Sequence, residues 1–199
     1  MTLIAPASFQ HPPDYEPKPS DLAAVSKADF VVLAEYDGFA KQLRSAVGGN
    51  AKVVGLFPEN APAKVRADVI RLGKAFGTTA KASAWIKTFN RTYRTLSANT
   101  KRKVAGKTAI AQAFAAPWAS FAGLKLLGTY GPKPITPSQL ATLKGKHAQL
   151  LIENTNLPQG KALEGSGIKQ VSLPNYPTAG LDLLQVFRKN AATLQAAAR

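Results

Sequence analysis

Cysteine is missing from all 199 residues, which excludes disulfides, thiol nucleophiles and thiolate metal sites at the outset. Histidine is almost missing: His11 and His147 are the only two. A site built of several imidazoles therefore cannot form, and no Ser–His–Asp arrangement has an elbow motif to support it. Acidic residues are scarce, 11 against 26 Lys and Arg, so the net charge is +15. Long apolar runs are missing too. Nothing approaches the roughly 18 residues that would suggest a membrane span, and the longest blocks, such as Phe30 to Ala34, have the length of a buried strand.

The remaining composition, 45% hydrophobic and 19% charged, is that of a globular chain long enough for one domain or two small lobes. So large a positive charge would draw nucleic acid, anionic lipid or an acidic protein surface. The basic residues are spread along the chain, however, and only residues 81–107 are dense in them. Zinc-finger spacing and the aromatic signature of ribonucleoprotein folds are both absent, so the charge reads as a solvated basic face and nucleic acid is not the expected partner.

Short strands alternate with helices along the chain, the pattern of an α/β fold with parallel sheets. Strands are expected at residues 2–4, 30–34, 52–56, 108–111, 124–127 (closed by Gly128), 149–152 and 171–173. Ser20 is positioned to cap a first helix. A second helix, through Leu43 and Val47, would end at the Gly48-Gly49 pair. Helices are also expected at 63–76, stopped by Gly77, after Pro117, and at 180–196. Residues 79–98 carry Trp85, Ile86, Phe89, Tyr93 and Leu96 at helical spacing with no Gly or Pro among them, which suits a rigid connector. The expected architecture is two lobes with parallel sheets joined by one long helix: residues 1–77, a connector at 78–103, and residues 104–199. Glu35 and Asp37 follow one strand and Glu153 another, at carboxyl ends where open α/β sheets form their binding crevices. Gly160-Lys161 invites a phosphate-loop reading, which fails because Thr155 stands where the first glycine is needed and Ala162 replaces the metal-binding hydroxyl.

Several blocks, in order, carry a resemblance. They are His11-Pro12-Pro13-Asp14-Tyr15-Glu16-Pro17 with Pro19-Ser20-Asp21, Ala28-Asp29-Phe30-Val31-Val32 with Glu35-Tyr36-Asp37-Gly38-Phe39, Trp85 to Leu96, Gly123 to Pro132, and Glu153 to Lys161. Together they resemble the metal-receptor family, the zinc- and manganese-type solute-binding proteins of bacterial ABC importers. The resemblance implies a receptor and not an enzyme, acting outside the cytoplasmic membrane as a monomer. It also implies an ABC permease as partner, and a divalent metal ion or small solute as transported ligand in a cleft between lobes. Residues 1–9 lack a basic start and apolar core, so an export signal would have been removed before Met1.

Against the family pattern, this chain lacks the first strand and helix and most ligand histidines. The histidine before Tyr-Glu-Pro falls on Pro13, with His11 two residues early; a second falls on Gln112; a third on Asn156; and an acidic ligand falls near Pro174. The resemblance and the strand-end positions together point to Tyr15, Glu35, Asp37, Gln112 and Asn156 as ligand-binding residues, with His11 and Glu153 as metal ligands. Set beside it are plainer readings, in which Tyr15 packs a turn, Glu16 caps the following backbone, His147 is exposed, and Trp85 and Trp118 belong to the core.

Overall fold

The computed structural model describes residues 1–165, 167–177 and 180–197. The chain divides into two compact units, residues 1–88 and 89–199. The boundary falls inside a single helix.

In the first unit, α1 (Pro19–Ser26), β1 (Phe30–Ala34), α2 (Ala40–Ala46), β2 (Lys52–Leu56) and α3 (Pro62–Ala75) follow one another. The strands β1 and β2 pair in parallel, Val31 opposite Val53 and Leu33 opposite Gly55. Alternation along β1 turns Val31 and Leu33 to one face, where Val25 of α1 and Ala40 and Leu43 of α2 complete a core with Phe39. The opposite face is thinner. Phe30 and Val32 stay 39% and 43% exposed, and Phe76 meets the Phe30 ring edge-on at 4.9 Å.

Helix α4 (Thr79–Val104) runs without interruption for 26 residues, six beyond its expected end. The second unit continues with β3 (Thr108–Gln112), α5 (Pro117–Ala122), β4 (Lys125–Tyr130), α6 (Pro137–Lys144), β5 (Leu150–Asn154), β6 (Lys169–Leu173) and α7 (Leu183–Ala196). Its four parallel strands lie in the order β4-β3-β5-β6. The two inner strands, Thr-Ala-Ile-Ala-Gln and Leu-Leu-Ile-Glu-Asn, are buried along nearly their whole length, as strands covered on both faces must be. One cluster joins Ile110, Tyr130, Leu143, Leu151 and Leu163. An aromatic cluster is centred on Phe187 of α7, whose ring lies 4.8 Å from Trp118, 5.4 Å from Phe89 and 5.8 Å from Tyr93. Trp118 is core, as expected, and Trp85 is half-buried.

Several local expectations are corrected. Residues 2–4 form no strand. Ser20 is inside α1, not its cap, because Pro19 already takes the first helical position; the Asp21 carboxylate accepts from the Lys18 N–H instead, the task expected of Glu16. Helix α2 stops at Ala46, before the glycines, and Gly48 serves packing: a Cβ there would meet the Ser26 carbonyl at 2.5 Å. Gly128 is inside β4, just past a bulge, where Leu143 and Lys146 pass close over the strand. Strand β5 runs on through Glu153 and Asn154, which had been read as loop.

Candidate ligand site

Among the expected site residues of the first unit, His11 opens a 3-10 turn over Pro12–Asp14, and its Nδ1 lies 2.8 Å from Asp14 Oδ2, out of line for a hydrogen bond. The 36–38 turn after β1 packs near this segment, with Gly38 beside the Pro13 carbonyl. Burial raises the Asp37 carboxyl above its usual range, opposed by a backbone contact at Ala34 and by the His11 charge. His11, Asp14 and Asp37 are thus electrostatic neighbours. Glu35 is committed elsewhere: Oε1 accepts from Arg44 Nη2 at 2.5 Å, and the carboxylate lies across Gly55, where any Cβ would collide with it. Tyr15 takes the packing role. Its ring stands edge-on to Phe9 and Phe39, and its hydroxyl donates to Asp21 Oδ2 at 2.9 Å, which raises the phenol's pKa.

In the second unit the expected residues converge at the carboxyl ends of the strands. Gln112, fully buried at the end of β3, accepts from the Phe114 N–H through Oε1 and donates from Nε2 to Gln159 Oε1 at 3.2 Å. Gln159 in turn donates to the Pro132 carbonyl. Glu153, 3% exposed on β5, accepts from three backbone amides: Asn154 on Oε1, Gln159 and Gly160 on Oε2. Only glycine fits at 160, since a Cβ would strike both the Glu153 carboxylate and the Tyr130 hydroxyl. That hydroxyl, at the end of β4, has no aligned hydrogen-bond partner. Burial first, then the nearby Glu153 charge, pushes its pKa far above the ordinary phenol value. Asn156 accepts from the Asn175 N–H at 2.8 Å, and the Asn175 side chain joins Trp118 Nε1 to the Phe114 carbonyl.

The residues that sequence reasoning missed are Tyr130, Gln159 and Asn175. Asn175 follows Pro174, the position where an acidic ligand was expected, and it is 8% exposed. The resulting layer is made mostly of neutral amides and backbone groups, and its one carboxylate already accepts three hydrogen bonds. Amides are weak zinc ligands, although hard cations accept them when carboxylates supply the charge. Among the described residues, no group of three or more His, Cys, Asp or Glu is placed to hold a metal ion.

No family model matches the chain, and no curated protein matches it. Solved structures do. ZnuA superposes with a TM-score of 0.73 over 100% of this chain and 90% of its own, at 17% identity. The solute-binding protein FpvC of Pseudomonas aeruginosa, in complex with Ni2+, gives 0.70 over 98% and 86%, at 20% identity. The laminin-binding protein Lmb of Streptococcus agalactiae, described as having adhesin and metal-transporting activity, gives 0.69 over 98% and 87%, at 19% identity. The chain has the fold of the metal-receptor solute-binding proteins. On that fold, Gln112 and Glu153 sit at strand ends and are joined through Gln159, while Asn156, in the turn after β5, accepts from the Asn175 N–H.

Proposed function

We propose that this protein is an extracytoplasmic solute-binding receptor of an ABC importer, which captures its ligand and hands it to a permease. The observation that carries the reading is fold likeness across nearly the full length of several metal receptors. The work is binding rather than catalysis. In the metal-delivery form of this reading the cargo is a zinc- or manganese-class ion, with His11 and Glu153 as metal ligands and Tyr15, Glu35, Asp37, Gln112 and Asn156 as further ligand-binding residues.

A second form is favoured by one specific observation: the Glu153 carboxylate and the amides of Gln112 and Asn156 are already engaged with protein partners. A metal would have to displace those bonds, so this form is a ligand-degenerate relative that takes a non-metal solute or a partner protein. Calorimetry with zinc and manganese near neutral pH, beside elemental analysis and native mass spectrometry of protein purified without chelator, separates the two. Each lost imidazole removes a direct bond to the ion, so zinc affinity is expected far below the nanomolar range. Nanomolar zinc binding that is lost in Gln112→Ala or Glu153→Ala would establish metal delivery and overturn the degenerate form.

A further inference from the structure

We infer that the amino-terminal rim of the four-stranded sheet in residues 89–199 is a docking surface for an anionic phospholipid bilayer. Parallel strands begin at the same end of a sheet, so the residues that open them share one rim. The Lys125 N–H donates to the Lys107 carbonyl, the Gln149 N–H to the Thr108 carbonyl, and the Lys169 N–H to the Gln149 carbonyl. Lys125, Lys107, Gln149 and Lys169 thus form one row across β4, β3, β5 and β6, about 15 Å from end to end at the usual strand spacing. Lys146, in the segment that leads into β5, lies close by and donates to the Leu127 carbonyl, two residues into β4. The basic last turn of α4, residues 101–103, joins the same end, since the Lys101 stem lies over Gly123 at the foot of β4.

Lysines that look scattered between positions 101 and 169 are therefore gathered in space. Residues 101–103, Lys125, Lys146 and Lys169 are exposed, and no Asp or Glu occurs in residues 101–109, 123–128, 143–150 or 167–171. Interaction with the helix macrodipole accounts for basic residues in the last turn of α4. It does not account for lysines at the starts of strands.

The chemistry of the rim selects the partner. Lysine outnumbers arginine, which gives compact point charges rather than the planar fork that reads phosphates or bases bidentately. The four segments hold one ring, His147, too few for successive bases of a single strand to stack on. Leu126, 40% exposed next to Lys125, adds an apolar contact of the kind that enters a headgroup layer. A diffuse cationic face with an apolar point fits an anionic bilayer, where each basic residue near the surface contributes roughly a fivefold factor in affinity. The inference goes beyond the receptor reading and does not depend on it.

The test is co-sedimentation of the full chain with phosphatidylcholine vesicles containing about a third phosphatidylglycerol, against pure phosphatidylcholine. Binding is expected only to the anionic vesicles, with release by about 0.5 M salt. The variant Lys107→Gln, Lys125→Gln, Lys146→Gln, Lys169→Gln should bind about 600-fold more weakly. Because strand-end lysines can influence folding, the helix variant Lys101→Gln, Arg102→Gln, Lys103→Gln provides a second reading with no strand residue changed. It should lose affinity by more than tenfold. A control carrying Lys27→Gln, Lys41→Gln, Lys64→Gln and Lys74→Gln removes four charges from the other unit and should stay within about twofold of the parent. Failure to bind anionic vesicles would overturn the proposal. So would equal loss in the control, which would reduce the effect to net charge, or tighter binding to duplex DNA than to vesicles at the same salt.

Discussion

In residues 89–199 the two inner strands of four are covered on both faces, and Phe187 alone touches four aromatic rings. In residues 1–88 two strands bury one face and leave Phe30 and Val32 partly open on the other. Charge divides as unevenly. The first unit has 11 Lys and Arg against 8 Asp and Glu, the second 15 against 3, so +12 of the +15 resides in the half with the larger sheet. The polar groups differ in kind as well. Glu35 in the first unit holds a half-exposed arginine, whereas Glu153 in the second is sunk in the protein and held by three backbone amides. Two strands are marginal on their own, and four with a buried central pair are not. The second unit therefore carries most of the packing and can bury polar groups that the first must keep near water.

Replacement of aromatic rings tests this contrast most strongly. Phe187→Ala should cost about 3–5 kcal/mol in denaturant unfolding, whereas Phe76→Ala, at a ring 40% exposed, should cost about 1 kcal/mol or less. Comparable losses would mean that the two units are equally well packed. The two glutamates give the next largest effect. Glu153→Gln turns an amide NH2 toward N–H donors and should cost about 2–3 kcal/mol, while Glu35→Gln should cost less than about 1 kcal/mol. If the order were reversed, the surface pair with Arg44 would be the more important one.

The smallest effect belongs to Tyr130. Tyr130→Phe removes a hydroxyl that has no aligned partner, so stability near neutral pH should change by less than about 1 kcal/mol. Its pH signature is more telling. Burial and the Glu153 charge make the folded state hold the Tyr130 proton to higher pH than the ordinary value of 10.0. The associated stability is complete below that unfolded value and is lost as pH rises through the folded one. Thermal melts of the parent should fall more steeply above pH 10 than those of the variant, and parallel curves would contradict the placement of Tyr130 beside Glu153.

The sequence made most of the fold legible where periodicity was clean. Strands at 30–34 and 52–56 and the glycine- and proline-free stretch of α4 read directly from their spacing. Glycine misled at 48 and 128, because a missing side chain can serve close packing as readily as a turn. Helix α6 escaped notice among Pro132, Pro134 and Pro137, where proline at the first helical position opens a helix rather than blocking one. At the site, Gln112 and Asn156 were singled out through the resemblance and Glu153 through its place at a strand end. Their partners were not, because the bonds span long separations: 47 residues from Gln112 to Gln159, and 57 from Trp118 to Asn175. Nor could spacing along the chain place Lys107, Lys125 and Lys169 in one row, since only strand order does that.

Glu153 bonds to amides one, six and seven residues ahead, so one carboxylate closes a short stretch of its own chain. A loop that small closes in about 10–100 ns, long before strands 40 residues apart can meet. The turn after β5 is therefore expected to exist in the folding transition state, ready for β3 and β6 to assemble on either side. In stopped-flow measurements the Glu153→Gln loss should appear as slower folding with little change in unfolding.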